Sequence, residues 1–449
     1  MTEKNYTEQN FILHARQRVR RGPHYKIKYW GKVVSFDGIL VQSSNFPCSV
    51  GSICKIINND GQEITGEIVK ISEQNISIIP FENHFPISVG QVVELVRPLQ
   101  AIGVGSELLG RAIDGLGLPL DGGNTLDYSE EVSLEGNNLN PLQRRPVQEI
   151  FDVGIRSINT LLTLGKGQRI GIIAGSGVGK SVLLSMVAKN SSADVVVIAL
   201  IGERGREVAS FTKEILQSHS KDKVLIVAVP ANHSPLLRIQ GAKRATAVAE
   251  YFRDSGKNVL LIMDSLTRVA HAQRELGLAL GEQPTARGYP PSVLSLLPKL
   301  IERTGTSSLA NGAITSIYTV LADGDDVTSD PIVDTARAIL DGHIVLDRNL
   351  AQQGIYPAID VNKSISRLMT SLVRENQIQK AKTLKMLIAK YFENRDLVLM
   401  GGYAKGQDAE LDMAMSGWAL IQKFLVQGQN EVYNYNQSAA ALDELMSAL

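Results

Sequence analysis

The stretch Ala174-Gly175-Ser176-Gly177-Val178-Gly179-Lys180-Ser181 decides the fold of this chain. It follows the apolar run Gln168–Ile173, which reads as a strand, and precedes Val182–Ala188, which reads as a helix. A glycine-rich loop in that setting, ending on Lys-Ser, is a phosphate-binding loop in its required context. The glycines let backbone N–H groups close around phosphate oxygens, so Gly175, Ser176, Gly177, Val178 and Gly179 form a cradle. Lys180 brings positive charge to the β- and γ-phosphates and Ser181 offers a hydroxyl to Mg²⁺, while the helix N-terminus adds its dipole. Ala174 stands where glycine is usual, a departure the loop tolerates. A plain glycine-rich turn with a surface lysine is the weaker reading.

Working outward, continuous apolar runs recur at Asp194–Ile201, Lys223–Val229, Asn258–Met263 and Gly312–Val320, separated by longer helical stretches. Strands of this kind are buried on both faces, which predicts an α/β domain built on a parallel sheet. Ligands of such sheets sit at the carboxyl ends of the strands. Asp264 ends one of them, where an acid can hold Mg²⁺ as the second half of a nucleotide–metal site. It would also serve as a helix cap, but its position and apolar lead-in favour the metal. Glu203 and Arg204 directly follow Asp194–Ile201 and are expected at the same end of the same sheet. A carboxylate there polarises a water for attack on the γ-phosphate. Equally, Glu203 reads as a loop acid paired with Arg204 or Arg206, and spacing alone does not choose. Tyr356 precedes a rigid proline, Pro357, and Arg367 closes Ser364-Ile365-Ser366-Arg367. By composition alone Arg367 is a surface arginine. His271 and the other histidines lack ligand spacing.

The flanks differ from this centre. Residues 26–96 carry short Val/Ile-rich runs at Gly31–Gln42, Ser52–Ile57, Gly66–Ile71, Asn75–Pro80 and Gln91–Val96, broken by turn formers. That pattern predicts a small β-barrel. Leu108–Asp121 reads as a connector within an ATPase domain spanning 97–365. From 366 to 449 the sequence is helical throughout. Residues 1–25 are basic, with Arg16, Arg18, Arg20 and Arg21, and place Phe11, Ile12, Ala15 and Val19 at helical spacing. They read either as a solvated tail or as a docking helix.

Composition narrows the function. The chain has 449 residues with 46 Lys+Arg against 46 Asp+Glu. Zero net charge argues against a protein whose task is gripping nucleic acid. Only Cys48 and Cys54 are present, too few for a disulfide scaffold or a structural zinc site. No apolar run approaches the ~18 residues of a membrane span, so a cytoplasmic protein is expected.

Taken together, the loop at 174–181, Gly202-Glu203-Arg204-Gly205-Arg206-Glu207-Val208, Val259–Arg268 and Gly354–Arg367 resemble the catalytic subunits of rotary ATPases. Within them the chain is most similar to the type III secretion ATPases, which include the flagellar export ATPase. Leu108–Gly117, Pro284–Val293 and Gly401-Gly402-Tyr403 with Asp408, Asp412 and Ala414 resemble that branch. The resemblance covers roughly 28–449. It implies a RecA-like P-loop core between an N-terminal β-barrel and a C-terminal helical domain, assembled as a homohexamer that hydrolyses ATP with Mg²⁺. Glu203 matches the catalytic glutamate, Arg204 the arginine that senses the γ-phosphate, and Asp264 the acid of the second nucleotide-binding strand. Arg367 matches an arginine finger given in trans to a neighbour, and Tyr356 the aromatic against which adenine packs, with Tyr403 beside it. Implied partners are a stator-like regulator at residues 1–25, a central stalk protein, an export gate, and export substrates with their chaperones, with peripheral association at the inner membrane face. Gln283 stands where the family often has proline, in a loop expected to face the ring centre. Two alternatives are a non-catalytic nucleotide-binding ring subunit, which would carry Gln at 203, and an RNA-translocating RecA-type hexamer, which the charge balance and 5% aromatic content do not support.

Overall fold

A computed structural model describes residues 28–58, 60–82, 86–97, 101–136, 140–285, 288–307, 311–321 and 330–449. The basic segment at 1–25 lies outside the described residues. The chain divides into two compact units, one ending with the strand Val92–Arg97 and the other running from Ala101 to the C-terminus.

The first unit is a closed barrel. Its strands follow one another around the wall as Trp30–Phe36, Val41–Ser44, Asn75–Pro80, Glu63–Ile71, Ile53–Ile57 and Val92–Arg97, the last pairing again with the first. Alternation drives closure. Val33, Val41, Cys54, Ile56, Ile64, Ile76 and Val93 form its buried core, and along Val41–Ser44 and Ile53–Ile57 buried and more exposed residues alternate. The single run expected at Gly31–Gln42 is in fact two strands. Asp37 turns the chain between them, its Oδ1 accepting from the amides of Ile39 and Leu40, and Gly38 takes a φ of 101°. Apolar residues on both sides of that turn hide the break in the sequence pattern.

The second unit is built on a nine-stranded sheet. Across it run Ile359–Ser366, Gly342–Leu346, Arg169–Ala174, Ala313–Leu321, Asn258–Asp264, Val195–Ile201, Val224–Val229 and Ala112–Ile113. The ninth strand, Gly305–Thr306, lies off this row and pairs antiparallel with Ala313–Leu321. Along the row all neighbours are parallel except Ile359–Ser366, which returns antiparallel against Gly342–Leu346. Val195–Ile201 and Val224–Val229 are buried along their whole length, as continuous apolar runs require. The predicted connector Leu108–Asp121 contributes an edge strand, Ala112–Ile113, too short to announce itself in sequence.

Beyond Ser366 the chain is helical, with Glu375–Leu399, Ala409–Leu425 and Tyr435–Ala448 as its long elements. One hydrophobic cluster joins them to the sheet, running from Ile170 and Val196 through Ile158 and Leu161 to Leu384, Leu387, Ile421 and Leu442. Among the described residues no helix is long and apolar enough to cross a membrane.

Candidate functional site

The strand Arg169–Ala174 ends at the glycine-rich loop, and the helix Lys180–Asn190 starts where the loop stops. Gly179 caps that helix in the left-handed region. The helix therefore presents its free N–H groups and positive dipole end to the loop. Around Gly175 and Gly177 a side chain would meet nothing within 4 Å, which leaves room for phosphate oxygens above the backbone. Gly179 is different: a Cβ there would lie 3.3 Å from the ring of Tyr356, so the tyrosine is seated against the loop. Val178 is buried and anchors the loop from below.

Two carboxylates meet the lysine of this loop. Lys180 Nζ lies 2.5 Å from Asp264 Oδ1 and 3.2 Å from Glu203 Oε1. The register explains the meeting. Asn258–Asp264 pairs with Val195–Ile201 so that Asp264 stands beside Leu200, and Glu203 follows three residues on. Glu203 is fixed by its backbone: its carbonyl accepts from Ala231 N at 3.0 Å, and Gly202 N donates to Val229 O at 2.7 Å. Gly202 has a φ of 73°, and a Cβ there would come within 2.7 Å of the Arg268 side chain, so this bend admits only glycine. Asp264 also accepts from Thr319 Oγ1 at 2.6 Å, a partner on the neighbouring strand Ala313–Leu321.

The electrostatics follow from burial. Burial pushes the Glu203 carboxyl above the ordinary range and the charge of Asp264 pushes the same way, against the pull of Lys180 and Arg268. Lys180 is pushed down by burial, but Asp264 and Glu203 outweigh it and its ammonium is held more firmly than usual. A cation between two partly desolvated acids is a site poised to exchange partners when phosphate arrives. Ser181, Glu203 and Asp264 line one cavity of about 250 Å³, together with Phe211, Gln429 and Asn430. Its donor set suits a magnesium nucleotide: backbone N–H groups and an ammonium for phosphates, a hydroxyl and carboxylates for a hard cation.

Arg204 is largely exposed and pairs with Glu207 at 3.2 Å, at the start of the helix Gly205–Leu216. Arg367 is not brought to this cavity. Its amide bonds to Asp341 O at 3.0 Å, and Asp341 N bonds to Arg169 O at 2.9 Å. Arg367 thus sits at the amino end of the phosphate-loop strand, about 20 Å of strand from the loop itself. Tyr403 spends its hydroxyl on Asp412 Oδ1 at 2.9 Å and Asp408 O at 3.0 Å, within the turn between two C-terminal helices.

Sequence reading missed Thr319, Gln429 and Asn430, and with them the residues that hold the last two in place. Gln427 N donates to Tyr356 O at 2.8 Å, and Gln427 Oε1 accepts from Arg156 N at 2.8 Å. The Arg156 guanidinium bonds to the carbonyls of Phe424, Lys423 and Val426 and lies 4.3 Å from the ring centre of Tyr433. No spacing signal links Arg156 to residues this far along the chain.

The chain is similar to known proteins over nearly its whole length. Residues 154–366 match the nucleotide-binding domain of the ATP synthase alpha/beta family, and 373–444 match the C-terminal domain of the type III secretion ATPase EscN. The flagellum-specific ATP synthase of Salmonella typhimurium is 46% identical over 93% of each chain. That of Pseudomonas aeruginosa is 44% identical, again over 93% of each. Among solved structures, the assembled ATPase EscN of enteropathogenic E. coli superposes with a TM-score of 0.86 at 42% identity, covering 92% of this chain and 99% of that one. EscN in complex with its central stalk EscO gives 0.85 at 41% identity, with the same coverage.

Proposed function

This chain belongs to the family of flagellar and type III secretion ATPases, and from that premise we propose that it hydrolyses Mg²⁺–ATP to drive protein export through a type III apparatus. The observation that carries the reading is the convergence of Lys180, Glu203 and Asp264 at the carboxyl ends of neighbouring strands, beside a loop open for phosphate.

The roles follow from position. Lys180 exchanges its two carboxylates for the β- and γ-phosphates. Glu203, released from the lysine, takes the proton of a water as it attacks the γ-phosphorus, while the bond from that phosphorus to the β,γ-bridging oxygen breaks and ADP leaves. Ser181 and Asp264 would hold Mg²⁺, which would spread the charge developing on the phosphate oxygens. Thr319 keeps Asp264 oriented. Tyr356 forms the wall against which the base packs, and Arg204 turns from Glu207 toward the γ-phosphate. Arg367, remote from its own loop, serves the site of a neighbour as an arginine finger, which requires a ring. We read that ring as a homohexamer around a central stalk, as the assembled relative and its stalk complex suggest. At the apparatus the energy is used to release chaperones and unfold substrates before they enter the export gate. The basic segment at 1–25 takes the stator-like regulator, holding the ring peripherally at the inner membrane face.

Two substitutions test the core of this reading. Lys180→Ala removes the main cation for the phosphates and should abolish both nucleotide binding and hydrolysis. Glu203→Gln keeps the shape of the site but cannot accept a proton; it should bind Mg²⁺–ATP nearly normally and turn it over at least about a hundredfold more slowly. Binding is read with a fluorescent nucleotide and turnover by phosphate release. Unchanged turnover in Glu203→Gln would remove the glutamate from its role.

A further inference from the structure

Arg367 is an exposed side chain on an unusually well-braced backbone. Its amide donates to Asp341 O at 3.0 Å. The same carbonyl accepts from the side chain of Gln168, Nε2 at 3.3 Å, and that Nε2 also donates to Ser366 Oγ at 3.0 Å. Ser366 Oγ in turn donates to Thr163 O at 2.8 Å. The other end of the Gln168 amide, Oε1, accepts from Gly165 N at 2.8 Å. The Asp341 carboxylate accepts from Arg169 N at 3.0 Å. Gln168 is fully buried, a place where an apolar residue would pack without needing partners. Among the described residues its side chain bonds to Asp341 O, which also holds the Arg367 amide, to Ser366, which precedes Arg367, and to Gly165 N, which fixes the amide plane. A network that satisfies a buried amide at both ends holds a single arrangement.

We propose that Gln168, Ser366 and Asp341 are positioning residues that mount Arg367 for its neighbour's nucleotide. The proposal rests on reading Arg367 as a finger in trans. A long arginine reaching across an interface can be no better aimed than the backbone it stands on, and among the described residues the Arg367 side chain makes one hydrogen bond, from Nη2 to Arg337 O at 3.1 Å. The mount leaves the phosphate-loop end of the strand untouched, so it bears on turnover and not on the binding of ATP.

The test measures steady-state hydrolysis and nucleotide affinity on the assembled full-length protein. Ser366→Ala and Gln168→Met should each lower kcat by roughly tenfold to a hundredfold, the scale of misplacing a catalytic group by about 1 Å. KM and nucleotide affinity should stay within about twofold, and Ser366→Thr, which keeps the hydroxyl, should restore kcat. The decisive arm places each change in an Arg367→Ala background, with residual turnover followed by radiolabelled phosphate release. With the finger gone the mount has nothing to aim, and neither substitution should lower the rate further. A kcat unchanged in Ser366→Ala and Gln168→Met overturns the mount, as does an equal loss with and without the arginine. Should Gln168→Met not fold, the serine variants alone decide. Full activity of Arg367→Ala by itself would fault the finger reading, an outcome distinct from failure of the mount.

Discussion

Glu203 carries the sharpest consequence at the scale of a single residue. Burial raises its carboxyl above the ordinary range, and the neighbouring charge of Asp264 adds to that, while Lys180 and Arg268 only partly counter it. A group that takes a proton from water must first be ionised. Ionised Glu203, and with it activity, is present above the raised pKa and lost as pH falls through it. The acid limb of kcat/KM, which reports the free enzyme, should therefore lie above the value of about 4.3 for an unperturbed glutamate. A pH profile at subsaturating ATP reads this directly. A limb at or below that value would mean that the base is ordinary or is another group. Lys180 and Asp264 were legible in the sequence because each stands at a strand end, and the parallel sheet brings those ends together; spacing put Glu203 at the same end of the sheet, but only the family resemblance chose between a base and a loop acid. Thr319 was not legible, because its hydroxyl is one of several on its strand and only the register with Asn258–Asp264 aims it at Asp264.

At the scale of elements, the helix Ala409–Leu425 is tied to the nucleotide cavity through its C-terminal end. The last carbonyls of a helix lack partners, and here the Arg156 guanidinium takes those of Lys423 and Phe424 along with Val426 just beyond. Among the described residues it meets no carboxylate; helix dipole and the Tyr433 ring offset its charge. Arg156→Ala should lower unfolding stability by about 2–3 kcal/mol, the range for losing hydrogen bonds to a buried charged group. Arg156→Lys should recover only part, since an ammonium cannot reproduce the planar fork. Denaturant unfolding measures both, and a loss under about 0.5 kcal/mol, the scale of an ordinary surface change, would show that the clamp is dispensable. The core strands were legible because continuous apolar runs have few other uses. The barrel's first hairpin was read as one strand because residues flanking Asp37-Gly38 are apolar on both sides. The Arg156 clamp was invisible because its bond to Gln427 spans 271 positions, and nothing local marks an arginine destined for a helix end.

At the scale of the whole molecule, the separation of Arg367 from its own phosphate loop makes a prediction that needs two protomers. Arg367 N and Arg169 O both bond to Asp341, at the amino end of the sheet, whereas Lys180, Glu203 and Asp264 gather at the carboxyl ends. A single chain cannot bring these ends together without unpairing its strands. If the finger acts across an interface, Arg367→Ala should bind ATP normally and lose about 10³–10⁵ in turnover, the worth of an arginine finger. Mixing Arg367→Ala with Glu203→Gln, each inactive alone, should then restore hydrolysis. In a mixed ring some interfaces join an intact Glu203 of one protomer to an intact Arg367 of the next, and only those can fire. Were Arg367 to act within its own chain, every protomer would lack one group and mixing would restore nothing. Phosphate release as a function of mixing ratio reads the difference, with recovered activity largest near equal amounts, where the complementary interface is most frequent. A ring so tightly coupled that one dead site silences all would also show no recovery, so the single variant supplies the independent check: full turnover by Arg367→Ala alone is incompatible with the finger whatever the ring's cooperativity.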